Sequence, residues 1–205
     1  MRGITRLLEV KAIFFDLGET LVHFEREKGK SLVSEICELT SRSEEDIKET
    51  MNKHFVIQNN TLNVLVENFS REIKYNSPHK IVDIIKNNQS IPHLFKDTNK
   101  VLNILYSRGY KLGIISNAFP WNCKSIFELG LPEFLSTCTY YSFTLGVAKP
   151  HIEIFEKVQL DLQLTNYEIA FVGDSIKSDV IGSKNANWLS ILIDRTHKKK
   201  KMKLT

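Results

Sequence analysis

Six polar side chains follow short apolar runs in this 205-residue sequence, and their types could do phosphate chemistry. Asp16 ends the run in FFDLGETLV, residues 14–22. Ser116 and Asn117 follow KLGII, Lys149 lies in GVAKP, and Asp174 and Asp179 lie five residues apart in VGDSIKSD. Carboxylates are hard oxygen ligands suited to magnesium, while a hydroxyl and an ammonium group bind and neutralise an anion. Each residue also has a simpler reading. An aspartate after a strand commonly starts a turn. A Ser-Asn pair serves as turn or helix cap, and acids early in a helix complement its dipole. A lysine before proline is usually solvated. Only their joint placement, in chain order at successive strand ends, sets them apart.

The elements that must position them are short apolar runs alternating with helical-period segments. The strand candidates are 10–15 (VKAIFF), 111–115 (KLGII), 138–142 (CTYYS), 169–172 (IAFV) and 188–193 (WLSILI). Helices are expected over 97–107, 121–129, 151–162 and 176–185. Such alternation predicts right-handed βαβ units and a parallel sheet covered on both faces. In such a sheet, ligands bind beyond the carboxyl ends of the strands, where strand order reverses. Residues 21–92 break the rhythm with helical stretches and no convincing strand, far more than a crossover needs. The expected fold is therefore α/β: a doubly wound, Rossmann-like, five-stranded parallel sheet with an inserted α-helical subdomain. Core residues would be 1–20 and 93–205, with a basic disordered tail at 196–205, and 21–92 would form the inserted subdomain.

At this point the sequence resembles the haloacid dehalogenase superfamily of hydrolases. FFDLGETLV is similar to the first motif, IISNA to the second, GVAKPHIEIF to the third and VGDSIKSDVIGSKNA to the fourth. The resemblance runs from about residue 10 to 194, and the insertion lies where the family places its helical cap. It implies that Asp16 is a nucleophile forming a transient aspartyl phosphate. Ser116 would bind the transferring phosphoryl group with help from Asn117 and nearby N–H groups, and Lys149 would neutralise charge. Mg2+ would be held by Asp16, the carbonyl of Gly18 and Asp174, with Asp179 in support.

Gly18 departs from the usual phosphatase pattern, which has an aspartate here to protonate the leaving group. General acid–base catalysis is worth about 10²–10⁴-fold. Family members with glycine here are nonetheless regarded as sugar-phosphate phosphatases. Glu19 or His23 could supply the proton instead. A 2-haloacid dehalogenase-type reaction needs no such acid, but also no magnesium site. A non-catalytic phosphate-ligand-binding protein would explain Gly18 but leave the other acids and Lys149 without a purpose. The expected function is Mg-dependent hydrolysis of a small phosphate monoester. His54, Phe55, Gln58, Asn59 and Asn60 could line the cap side of the pocket, but each reads more simply as the outer face of a cap helix. Phe119 and Trp121 could wall the site, with packing of the following helix the simpler expectation.

Composition bounds the partners. Residues 197–204, HKKKKMKL, carry five of the 28 Lys and Arg side chains; without them 23 bases face 24 acids, so the formal +4 becomes −1. The excess charge thus belongs to a terminal run, usually solvated, and nucleic acid is not an expected partner. Three scattered cysteines, Cys37, Cys123 and Cys138, offer no CxxC pair and suggest reduced intracellular thiols. The N-terminus lacks the apolar core of a signal peptide, and no apolar run approaches the ~20 residues of a membrane span. A cytoplasmic monomer or homodimer acting on a small phosphorylated metabolite, away from membranes, is expected.

Overall fold

Unbroken apolar runs build a sheet whose central strands are buried on both faces. In the computed structural model, which describes residues 10–25, 29–123 and 126–195, the first strand is Ala12–Phe15 (β1). The N-terminal nine residues and the basic segment 196–205 lie outside the described residues. A two-stranded ribbon comprises Val22–Glu25 (β2) and Ile91–Leu94 (β3). The remaining strands are Lys111–Ser116 (β4), Thr139–Tyr141 (β5), Ile169–Gly173 (β6) and Leu189–Leu192 (β7). The main sheet has the order β5-β4-β1-β6-β7, every pair parallel. Ala12 and Phe14 of β1 point to one core layer with Phe155, Phe171 and Trp188. Phe15 points to the other, with Leu102, Leu112 and Ile114. A strand covered on both sides reads as a continuous apolar run, which is why VKAIFF lacks polar alternation.

From β1 the chain builds outward to β4 and β5 on one side, then returns to place β6 and β7 on the other. The switch point lies at the carboxyl end of β1, between β4 and β6. Helices Thr98–Ser107 and Ile152–Leu162 flank the sheet at the segments where the sequence predicts them. The helix expected over 121–129 is not seen among the described residues. Two 3₁₀ turns, Pro120–Asn122 and Phe127–Leu129, stand there instead. Gly130 ends the second turn in a left-handed conformation, and Pro132 follows two residues later, so no helix continues past this point.

Between β2 and β3 lie four helices: Leu32–Thr40 (α1), Glu44–Met51 (α2), Leu62–Glu72 (α3) and Pro78–Asn87 (α4). Ser31 and Ser43 cap α1 and α2, their hydroxyls accepting from the N–H groups of Ser34 and Asp46. α2 runs on as a π-helical turn, Asn52–Val56, and the helices share an apolar core with Ile36, Ile47, Phe55, Phe69 and Ile81 fully buried. The ribbon corrects the expectation that residues 21–92 contain no strand: β2 and β3 are antiparallel, with His23 opposite His93. Each strand is only four residues long, and β3 contains Pro92, which confines it to an edge. No helix among the described residues is long and apolar enough to cross a membrane.

Candidate active site

The carboxyl ends of β1, β4 and β6 bring the sequence-selected residues together. Asp16 leaves β1 with its N–H donated to the carbonyl of Val172 on β6, at 2.8 Å. Lys149 extends inward from the loop after β5, and its Nζ donates to Asp16 Oδ1 at 2.6 Å and to Asp179 Oδ1 at 2.7 Å. The ammonium also sits 4.8 Å from the ring centroid of Phe171. Lys149 is 4 % exposed and Asp179 1 %, so these are paired charges withdrawn from water. A buried ion pair of this kind costs desolvation that the added hydrogen bonds must offset. Asp179 is secured further by the Ser175 N–H at 2.9 Å and the Ser178 hydroxyl at 3.2 Å. Gly173 is required by this packing, because a Cβ there would lie 2.4 Å from Asp179 Oδ2.

Ligand atoms of Asp16, Asp174 and Asp179 all lie within 4.8 Å of one another. Three carboxylates and the Lys149 ammonium sum to −2 when ionised, the charge a divalent cation balances. All the donors are hard oxygens, so the residues fit magnesium. Burial pushes the Asp16 carboxyl up to about 6, with Lys149 opposing the rise and Asp179 adding to it. Burial also works against the charge on Lys149, but the two adjacent carboxylates outweigh it and hold the ammonium above its ordinary value.

Asp16, Gly18, Ser116 and Asn117 open onto a cavity of about 730 Å³ between the sheet and the inserted helices. Its far wall is made by Leu32 of α1, Ile85 of α4 and the following Asn88, Gln89 and Ser90. His54, Phe55, Gln58, Asn59 and Asn60 do not line it. His54 instead bonds Glu72 at 2.7 Å, and Phe55 stacks on Phe69 with centroids 4.8 Å apart. Gln58, Asn59 and Asn60 are exposed. Phe119 and Trp121 do line the cavity and also pack, though not on a following helix. Their rings stack 4.9 Å apart, and Trp121 meets Phe55 edge-on at 5.4 Å.

Around Gly18 the loop is tightly wound. The Leu17 carbonyl accepts from the N–H groups of Leu21 and Val22 at 3.0 and 2.9 Å, and Glu19 sits in the left-handed region at φ 53°. The Glu19 carboxylate turns back toward β2, accepting from the Phe24 N–H at 3.2 Å and meeting His23 Nδ1 at 3.0 and 3.1 Å. A Cβ at Gly18 would lie 3.4 Å from the Phe24 ring, so that ring flanks the place an aspartate side chain would leave from. Glu19 and His23 both reach the cavity, as a hydrogen-bonded pair on its rim.

A doubly wound sheet with clustered acids at its switch point places this molecule among the α/β proteins that carry their ligand site beyond the carboxyl ends of the strands. The chain belongs to the haloacid dehalogenase-like hydrolase family, whose sequence profile matches residues 10–187. Glyceraldehyde 3-phosphate phosphatase from Pyrococcus abyssi is 27% identical over 203 residues, covering 89% of this chain and 80% of that protein. An uncharacterized protein from Saccharomyces cerevisiae is 34% identical over 120 residues, 51% of this chain but only 40% of that protein. Among solved structures, a family enzyme from Bacteroides thetaiotaomicron in complex with magnesium superposes with a TM-score of 0.64 at 21% identity, covering 94% of this chain and 100% of that one.

Proposed function

We propose that this hydrolase is a magnesium-dependent phosphatase that cleaves a small phosphate monoester through an aspartyl-phosphate intermediate. The observation that carries the reading is the cluster of Asp16, half-buried Asp174 and Asp179, with buried Lys149 bridging Asp16 and Asp179 close to Ser116. The P. abyssi relative named as a glyceraldehyde 3-phosphate phosphatase supports the same class of reaction. In this account ionised Asp16 attacks phosphorus in line and the P–O bond to the leaving group breaks. The Ser116 hydroxyl donates to the phosphoryl group, and Lys149 offsets the charge shared by nucleophile, phosphate and Asp179. Water then attacks phosphorus, releasing inorganic phosphate and regenerating Asp16. Magnesium bound by Asp16, Asp174 and the Gly18 carbonyl, with Asp179 in support, would supply further charge neutralisation.

The helices between residues 21 and 92 act as the cap, excluding water and meeting the leaving group with Leu32, Ile85 and the 88–90 segment. Gly18 offers no proton to that leaving group, and the Glu19 carboxylate is already engaged with His23 and the Phe24 N–H. Phosphate release should therefore fall steeply as leaving groups become more basic, and Glu19→Gln should change the rate less than about threefold, far below the worth of a general acid. A flat dependence, lost in Glu19→Gln or His23→Asn, would assign proton donation to that pair. Absence of turnover with any ester would overturn the phosphatase reading, and halide release from 2-haloacids without metal would replace it with dehalogenation.

A further inference from the structure

Asn117 stands next to the phosphoryl-binding Ser116, where a substrate ligand would be expected, yet both ends of its side-chain amide are used by another part of the protein. Its Nδ2 donates to the Lys149 carbonyl at 2.8 Å, and its Oδ1 accepts from the Lys149 N–H at 2.8 Å. One side chain thus satisfies both backbone groups of a residue 32 positions away. The pair mimics a rung of sheet where no strand passes, and it fixes the plane of Lys149's backbone relative to β4.

Asn117 is itself held on both sides. Ser116 is the last residue of β4, paired with Tyr141 of β5. On the other side, the Ala118 N–H donates to Ser142 Oγ at 3.2 Å, and that hydroxyl donates to the Val56 carbonyl at 2.7 Å. Ser142 is fully buried, so neither bond competes with water. Beyond Ala118, Phe119 and Trp121 both meet Phe55 edge-on. With its backbone anchored at both ends, the amide of Asn117 has little freedom to leave Lys149.

The geometry points to Asn117 as a positioning residue that sets the Lys149 ammonium between Asp16 and Asp179. Lys149 has a flexible four-carbon stem and three rotatable donors, so its head group is only as well placed as its Cα. Two carboxylates at 2.6 and 2.7 Å leave little tolerance, and a displacement of about 1 Å in such a site is worth about 10²-fold in rate. This role rests on the phosphatase reading for its catalytic consequence, but not for its structural one.

The test compares wild type, Asn117→Ala and Asn117→Asp as full chains with magnesium and p-nitrophenyl phosphate. Asn117→Ala should lower kcat about tenfold to a hundredfold. Its KM and its inhibition by inorganic phosphate should stay within about threefold of wild type, the mark of lost placement without lost ground-state binding. Asn117→Asp keeps the acceptor for the Lys149 N–H but sets a carboxylate oxygen against the Lys149 carbonyl, so it should also lower kcat at least tenfold, and a cooperative wild-type-like melting curve guards against a folding defect in either variant. In parallel, acetylation by an amine-reactive reagent, located by peptide mass spectrometry, should leave Lys149 protected in wild type and modify it in Asn117→Ala. A rise in KM and in the phosphate inhibition constant with kcat preserved would make Asn117 a substrate ligand and overturn the proposal. Unchanged kcat with Lys149 still protected would also overturn it. If wild type hydrolyses nothing, the phosphatase reading fails, while the labelling still decides whether Asn117 places Lys149.

Discussion

At Asp16 the requirements of reactivity and of folding oppose each other. Burial raises its carboxyl from 3.8 to about 6, even with the Lys149 ammonium at 2.6 Å. A group whose pKa is higher in the folded state stabilises fully below its unfolded value, and this contribution is lost as pH rises through the folded one. The metal-free protein should therefore lose stability between about pH 4 and 6, and ionised Asp16 should be a burden at pH 7.5. Asp16→Asn is expected to melt higher than wild type at pH 7.5 in chelator, measured by calorimetry, and to lose the pH dependence across that window. Added magnesium should raise the melting temperature of wild type by ligand linkage and leave Asp16→Asn nearly unmoved. A metal-free Asp16→Asn that melts lower would mean the Asp16–Lys149 pair is a net gain to the fold. Asp16, Ser116 and Asp174 were legible in the sequence because each ends or directly follows a strand, while Lys149 and Asp179, set further along the following segments, were legible through their motifs. The amide of Asn117 was not, because its partner backbone is distant in sequence and only the folded loop brings them together.

The connections between sheet and cap show the same dependence on distant residues. The chain leaves through residues 17–21 and returns through 95–98, and Arg195 joins both. Its Nη2 and Nε donate to the Thr20 carbonyl at 2.9 and 3.2 Å, its Nη1 reaches both oxygens of Asp97 at 2.8 Å, and its guanidinium lies 4.4 Å from the Phe95 ring centroid. Thr98 Oγ1 and the Phe95 N–H add bonds to the Leu21 carbonyl at 2.8 and 3.2 Å. Arg195→Ala should cost on the order of 1–2 kcal/mol, for the two bonds to the Thr20 carbonyl and one Nη1 shared by both oxygens of an exposed Asp97. Amide exchange should rise in residues 20–25 and 94–98 before the rest of the sheet; uniform exchange would rule out a local clamp. The Arg195 hydrogen bonds hold Asp97 below its ordinary 3.8, a contribution present above that value and lost as pH falls through the lower folded one. The variant should lack that acid-side loss. Five strands were legible as apolar runs because sheet burial demands them. The ribbon was not, since Val22–Glu25 finds its partner only beyond four helices, in a strand containing proline. Nor was the cap's facing surface. Leu32 and Ile85 sit on ordinary amphipathic helices, and only docking of those helices on the sheet turns these two toward Asp16.

For the molecule as a whole, the phosphatase proposal divides chemistry and selection between two layers. Asp16, Ser116 and Asn117 from the sheet side and Leu32 and Ile85 from the inserted helices line opposite parts of one cavity, and Phe119 and Trp121 line it while packing on Phe55. A cavity of about 730 Å³ lies in the size range of small-molecule sites. The account depends on Asp16 as the nucleophile, because Lys149, the acid cluster and the cavity are all arranged around it. Its most direct test is to mix the protein with magnesium and an activated phosphate monoester, quench rapidly in acid, and map the phosphorylated peptide by mass spectrometry. The account predicts a transient, acid-stable and hydroxylamine-sensitive phosphate on Asp16, absent from Asp16→Asn. Steady release of inorganic phosphate with no label on Asp16, or undiminished release by Asp16→Asn, would contradict it.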